Sequence, residues 1–291
     1  MMERKSISKI AVAGLVTVLA VEAAFVVRTM AADDAKGSGK IVIDGSTTVG
    51  PIAKAFAEYY MSVNPGVTIS VSESGSGNGA KALIAGSCDI ASMSRFMKDA
   101  EFKAATDKGV FPVAHVVAMD GIAIAVHPSN PIAGRGLTVK QVRDIYTGKI
   151  NNWSELGGPD LKIVRISRDT SSGTYETFEG LVMKNEKLAA DTEYVGAQAA
   201  MRERIKSTAS AIGYVGLGFL DDSIRALEID GVYPDNNTVA SGRYPVARPL
   251  FLFTNGYPAL GGHVHAFVTL HLSRKGQEMV EQIGYVPVTK Y

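Results

Sequence analysis

One local arrangement constrains this chain more than any other, because it occurs three times. An apolar run passes into a loop of glycine and hydroxyl residues, and a helical pattern follows. Ile41–Ile43 runs into Asp44-Gly45-Ser46-Thr47-Thr48-Val49-Gly50-Pro51, Val67–Val71 into Ser72-Glu73-Ser74-Gly75-Ser76-Gly77-Asn78-Gly79, and Ile163–Ile166 into Ser167-Arg168-Asp169-Thr170-Ser171-Ser172-Gly173-Thr174. Strands that alternate with helices in this way predict an α/β fold with largely parallel strands. Val113–Val117, Ile122–Val126 and Leu250–Phe253 read as further strands. The helical stretches are Ile52–Ser62, Ala80–Ala85, Lys98–Lys108, Val139–Tyr146, Tyr175–Asn185, Met201–Ser207 and Lys275–Ile283.

The loops share a chemistry. A helix N-terminus presents N–H groups without intrahelical acceptors and the positive end of the helix dipole. Glycine lets backbone approach a ligand closely, and Ser and Thr hydroxyls add donors at short reach. Any one such loop is most often an ordinary capped turn. Three of them, one carrying Arg168 with its fork of donors, point to a bound oxyanion.

Composition narrows the alternatives. Thirty Lys+Arg against 29 Asp+Glu give a net charge of +1, so no basic footprint for nucleic acid is present. Cys88 is the one cysteine, which excludes an intrachain disulfide and a multi-thiolate metal site, and it reads as a small buried apolar residue. Gly37-Ser38-Gly39-Lys40 lacks the remaining P-loop residues and precedes a strand where a P-loop would open a helix. His263, His265 and His271 have no carboxylate or cysteine cluster beside them, so no metal and no cofactor is expected. Neither a nucleophile with its base nor a Gly-x-Ser-x-Gly elbow around Ser172 is evident, which argues against a phosphatase or serine hydrolase.

Arg4, Lys5 and Lys9 precede an apolar run from Ile10 to Val27, interrupted only by Glu22. Residues 1–32 therefore read as a signal peptide cleaved after Thr29-Met30-Ala31, or as an uncleaved membrane anchor, and either places the remainder outside the cytoplasm. Residues 33–39 are a polar linker. Met119–Val126 and Arg248–Phe253 are candidate crossings between two lobes, one of residues 40–121 plus 250–291, the other of residues 122–249.

At these loops the chain resembles the periplasmic phosphate-binding proteins of ABC transporters, in their shorter subfamily, over residues 40–291. The resemblance is carried by Asp44–Pro51, by Gly75-Ser76-Gly77 with Ala80-Lys81-Ala82-Leu83, by Asp89-Ile90-Ala91-Ser92-Met93-Ser94-Arg95, and by Arg168 with Ser172-Gly173-Thr174. Asp144–Ile150 through Trp153, Ala211–Gly216 and Gly284-Tyr285-Val286-Pro287 add to it. It implies a two-lobed periplasmic binding protein fold of type II that closes on one dehydrated phosphate. Thr47, Thr48, Ser76, Ser94, Arg168, Ser172, Gly173 and Thr174 would hold the anion, and the partners would be inorganic phosphate and the permease subunits of the transporter, met by a monomer. Longer family members carry an aspartate where this chain has Ser94, an acceptor for the proton of hydrogen phosphate that repels sulfate. Asp120 is the first candidate to replace it and Glu73 the second; Arg95 reads as a structural ion pair or a second cation. Receptors for another tetrahedral oxyanion and an anchored phosphate sensor are the alternatives.

Overall fold

In the computed structural model, which describes residues 38–289, strand β1 (Gly39–Gly45) lies parallel to β2 (Val67–Ser72) on one side and β3 (Ile90–Met93) on the other. The signal or anchor segment lies outside the described residues. Between β1 and β2 runs helix α1 (Gly50–Val63), with Pro51 in its first turn and Ile52, Phe56 and Tyr60 buried along one face. Proline suits that turn because its missing N–H has no partner there, and the residue preceding Pro65 disfavours continuation. Helix α2 (Ser76–Ile84) joins β2 to β3. Beyond β3 come α3 (Asp99–Thr106) and the long strand β4 (Pro112–Val126).

After α4 (Val139–Tyr146), a parallel group forms from β5 (Val164–Arg168), β6 (Glu193–Val195) and β7 (Ala211–Gly216), with β6 and β7 flanking β5. Helices α5 (Gly173–Phe178) and α6 (Gln198–Lys206) connect them, and a π-helical turn at Glu179–Met183 extends α5. The two-residue β8 (Arg225–Ala226), helix α7 (Asn236–Ala240), strand β9 (Ala247–Asn255), and helices α8 (His263–Val268) and α9 (Arg274–Gln282) complete the chain. The strand order is β2-β1-β3-β9-β4-β7-β5-β6, with β8 on β4. Every antiparallel pairing between these named strands involves β4 or β9, because these two strands carry the chain between the halves of the sheet in opposite directions.

The sequence predicts two strands, at 113–117 and 122–126, where the structure has one. Asp and Gly are common turn residues, yet no turn forms at Asp120-Gly121. In the fold Asp120 is fully buried opposite Arg248, and a Cβ on Gly121 would come within 2.7 Å of Val239 Cγ2. Gly121 therefore serves close packing, and the strand continues. Strands β3, β6 and β7 were not expected; β3 is four residues with two small ones, and β7 contains two glycines. The predicted helix over 175–185 ends instead with Lys184 and Asn185 in left-handed backbone.

Buried apolar side chains gather on both sides of the β4/β9 crossing. Ile41, Phe56, Ile90, Leu252 and Phe267 belong to one side, with Cys88 in an adjoining cluster where burial pushes its thiol up to about 12. Ile124, Tyr146, Trp153, Phe178 and Tyr214 belong to the other, where Phe178 stacks on Tyr214 at 4.1 Å between ring centroids.

Candidate functional site

The three loops converge at the crossing. In the first, Ser46 Oγ accepts the N–H groups of Thr48 at 3.1 Å and Val49 at 3.2 Å, which folds the turn ahead of α1. Thr47 and Thr48 are buried in that turn, and the Tyr285 hydroxyl donates to the Thr48 carbonyl at 2.7 Å from the C-terminal segment. In the second, Ser76 opens α2, and its Oγ accepts the Ser94 N–H at 3.0 Å and lies 3.3 Å from Ser94 Oγ. In the third, Ser172 caps α5 by accepting the Tyr175 N–H at 3.3 Å. Gly173 and Thr174 then occupy the first turn, where N–H groups have no acceptor within the helix.

The loops touch one another directly. Gly77 N–H donates to the Ser171 carbonyl at 3.0 Å, and Thr48 Oγ1 and Thr174 Oγ1 are 2.9 Å apart. Gly173 packs so closely on the second loop that a Cβ there would sit 2.5 Å from Ser76 Oγ and 2.7 Å from Ser94 Oγ. Of the residues expected from the sequence, Thr48, Ser76, Ser94, Gly173 and Thr174 meet across the loops, with Thr47 and Ser172 beside them in the chain and Arg168 at the start of the third loop.

Arg168, at the end of β5, is 1% exposed. The Tyr214 hydroxyl accepts its backbone N–H at 3.0 Å, while its Nε and Nη2 donate to the carbonyls of Val195 at 3.1 Å and Gly196 at 2.8 Å. Its Nη1 is buried with no hydrogen-bond partner. Burial draws this guanidinium below the usual arginine range; Tyr214 and Asp169 oppose that pull, and nearby Arg248 adds to it. A buried cation whose bonds go to carbonyls is poised for an anion, because desolvated charge is costly without a partner.

Two residues of the cluster were not foreseen. Gln198, the first residue of α6, donates through Nε2 to Thr48 Oγ1 at 2.7 Å and to Thr174 Oγ1 at 2.9 Å. The Gly216 N–H donating to its Oε1 at 3.3 Å fixes the amide in this orientation. Arg248, on β9, donates through Nη2 to Thr174 Oγ1 at 2.9 Å. Thr174 Oγ1 therefore accepts two bonds, which fills its lone pairs and leaves its proton only to give. The two threonine hydroxyls share a single mutual contact, so one of their protons remains to donate elsewhere. A charged residue inside the apolar run Val246–Phe253 was a legible signal for Arg248; nothing local marks Gln198.

Asp120 reaches the same cluster with both oxygens engaged. Oδ1 accepts the Leu217 N–H at 2.9 Å, and Oδ2 accepts from Arg248 Nε at 3.2 Å and Nη2 at 3.0 Å. Burial pushes its carboxyl above the usual range, against the opposing pull of Arg248 and the Leu217 N–H. Glu73, in the second loop, pairs with Lys54 and sets its carboxylate against Gly50 at the start of α1, where a Cβ would lie 1.8 Å from Oε1. Among the described residues no group of three His, Cys, Asp or Glu side chains gathers to hold a metal. His263 meets the Tyr60 hydroxyl and His271 a carbonyl.

Arg95 is committed to carboxylates. It binds both oxygens of Glu101 at 2.7 Å and lies 2.6 Å from Glu176 of α5, which also meets Lys98 at 2.9 Å. Burial alone would raise the Glu101 carboxyl, but its bond to Arg95 and the Lys98 N–H hold it below its ordinary value. A depressed carboxylate contributes stability in full above its ordinary value and loses it as pH falls through the folded value. The melting temperature should accordingly drop as pH falls below the ordinary glutamate value of 4.5. Glu101→Gln should melt lower at neutral pH and lose less over that fall in pH; a parallel drop in both proteins would exclude this pair as a contributor.

Residues 31–275 match the model of the PBP superfamily domain. The phosphate-binding protein PstS of Bacillus subtilis is 36% identical over 264 residues, covering 88% of this chain and 85% of that protein. A phosphate ABC transporter substrate-binding protein from Clostridium perfringens, solved with bound phosphate, superposes with a TM-score of 0.80 at 33% identity, covering 86% of this chain and all of that one. An ABC-type phosphate transport receptor from Vibrio cholerae gives a TM-score of 0.69 at 29% identity, covering 84% and 99%. With this coverage and a buried donor cluster where its three loops meet, the chain belongs to the PBP superfamily and, within it, to the PstS family of phosphate-binding proteins.

Proposed function

We propose that this chain is an extracytoplasmic receptor that captures inorganic phosphate and delivers it to the permease subunits of an ABC transporter. The observation that carries the reading is Arg168: a fully buried guanidinium, oriented by two carbonyls, whose remaining Nη1 has no partner beside three donor-rich loops. Thr47, Thr48, Ser76, Ser94, Ser172, Gly173 and Thr174 surround the anion, and Asp120 acts through Arg248. The lobes are residues 40–121 plus 250–291 and residues 122–249, hinged where β4 and β9 cross. Closure brings Thr48 against Thr174 and Gly77 against Ser171, so the docking surface offered to the permease differs between empty and loaded forms. Binding proceeds without turnover, since the loops supply donors and the one carboxylate of the cluster, Asp120, has both oxygens engaged by Leu217 and Arg248.

Calorimetry of the purified, ligand-stripped chain tests this. Saturable one-to-one phosphate binding at micromolar dissociation constant or tighter is expected, with no hydrolysis of a chromogenic phosphate ester. Absence of phosphate binding would remove the assignment. Ser94 favours a second reading, a receptor for tetrahedral oxyanions more broadly, because a hydroxyl donates as well as accepts and so rejects sulfate less strongly than a carboxylate. Sulfate binding comparable to phosphate would establish that reading in place of the first.

A further inference from the structure

The buried ends of two guanidinium groups reach the donor cluster, and only one of them belongs to the three loops. Arg248 is 4% exposed and, like Arg168, retains an Nη1 that is buried without a hydrogen-bond partner. Its other nitrogens are fully committed: Nε to Asp120, and Nη2 to Asp120 and Thr174. A planar fork held at two of its three nitrogens has its third direction set in advance, which lowers the ordering cost of a further bond.

Its placement is equally specific. Asp120 and Arg248 are register partners across β4 and β9, the two strands that carry the chain between the halves of the sheet. From there Arg248 reaches Thr174 on α5 and approaches Thr48 ahead of α1 at 3.5 Å. One side chain rooted in the crossing strands thus touches both sides of the cleft. Resting on the phosphate reading above, we infer that Arg248 is a second ligand-contacting cation: its Nη1 binds the phosphate, Asp120 and Thr174 position it, and it selects the dianion over the monoanion.

The charges follow from the pairings. Asp120 neutralises one guanidinium, so the two arginines and the aspartate leave one net positive charge beside the anion. The ion pair lets Arg248 remain charged while buried, where an unpaired carboxylate or guanidinium would be strongly disfavoured. A second hydrogen bond of full cationic character is worth more to an oxyanion carrying two charges than to one carrying one.

The test is calorimetry on the full chain with inorganic phosphate, repeated across the pH range in which phosphate loses its second proton. The unaltered chain should bind more tightly as the dianion accumulates. Arg248→Gln should weaken binding by about a hundredfold and flatten that pH profile; Arg248→Lys should recover part of both. A purely structural role would lower the melting temperature and leave the profile's slope unchanged. Since Arg248→Gln strands Asp120 and so perturbs folding as well as binding, the unaltered chain labelled with nitrogen-15 arginine supplies an independent measurement. Phosphate should shift the guanidinium signals of two buried arginines. Tight phosphate binding with a single responding guanidinium, or wild-type affinity and slope in Arg248→Gln, overturns the inference alone. No phosphate uptake by the unaltered chain overturns the receptor reading and this inference with it.

Discussion

Arg168→Ala should bind phosphate between ~30-fold and several thousandfold more weakly than the unaltered chain, the range set by the about 2–5 kcal/mol lost when one partner of a buried charged contact is truncated. The size of the effect follows from how the side chain is held. Val195 and Gly196 carbonyls take two of its nitrogens, and Tyr214 anchors its backbone N–H, so the guanidinium orientation is prepaid by protein contacts. Arg168→Lys keeps the charge but cannot bond both carbonyls and the anion with one ammonium, so about a tenfold loss or more is expected. Calorimetry measures both variants, and a melting curve without ligand separates lost binding from lost folding. The truncation leaves two buried carbonyls without their donor, a cost of about 1–3 kcal/mol in stability. Binding by Arg168→Ala within about threefold of the unaltered chain, less than 1 kcal/mol, would place the anion elsewhere.

Gly173→Ala should weaken phosphate binding by about ten- to a hundredfold while leaving the empty chain as stable as before or slightly more so. The added methyl would lie 2.5 Å from Ser76 Oγ, 2.7 Å from Ser94 Oγ and 3.0 Å from Ser76 Cβ. These are not atoms at the loose end of a long side chain. Ser76 Oγ accepts the Ser94 N–H at 3.0 Å, so moving it breaks a buried bond. Gly173 itself does not occupy left-handed backbone, so alanine is compatible with its conformation. The clash therefore falls on the contact between the proposed lobes and not on either lobe's own fold. Small-angle scattering provides the second readout: phosphate should contract the unaltered chain and contract Gly173→Ala less. Wild-type affinity with full contraction would mean that the Gly173–Ser76 contact does not limit closure; a chain that no longer folds would contradict the two-lobed account.

The local chemistry was legible in the sequence wherever a few consecutive residues carry it. Arg168, Ser172, Gly173 and Thr174 fall within seven positions, and strand, loop and helix follow in order, so spacing alone assembles that part of the site. Ser46-Thr47-Thr48 and Gly75-Ser76 are similar, because a helix start, its cap and its exposed N–H groups are set by neighbours along the chain. Cys88 was legible for the same kind of reason, as a small residue between the Gly86-Ser87 turn and Asp89-Ile90.

What only the tertiary structure decided is the part of the cluster built from distant residues. Arg248 meets Asp120 across 128 positions, and Gln198 meets Thr48 across 150, separations that no local pattern encodes. Asp120-Gly121 has the composition of a turn, yet it continues a fifteen-residue strand because Arg248 satisfies the carboxylate and the packing of Val239 leaves no room for a side chain on Gly121. Sequence by itself marked three donor-rich loops and pointed to an oxyanion as their ligand. Which donors remain unspent was decided by the fold, since a hydrogen bond is available to a ligand only after every neighbour in three dimensions has taken its share.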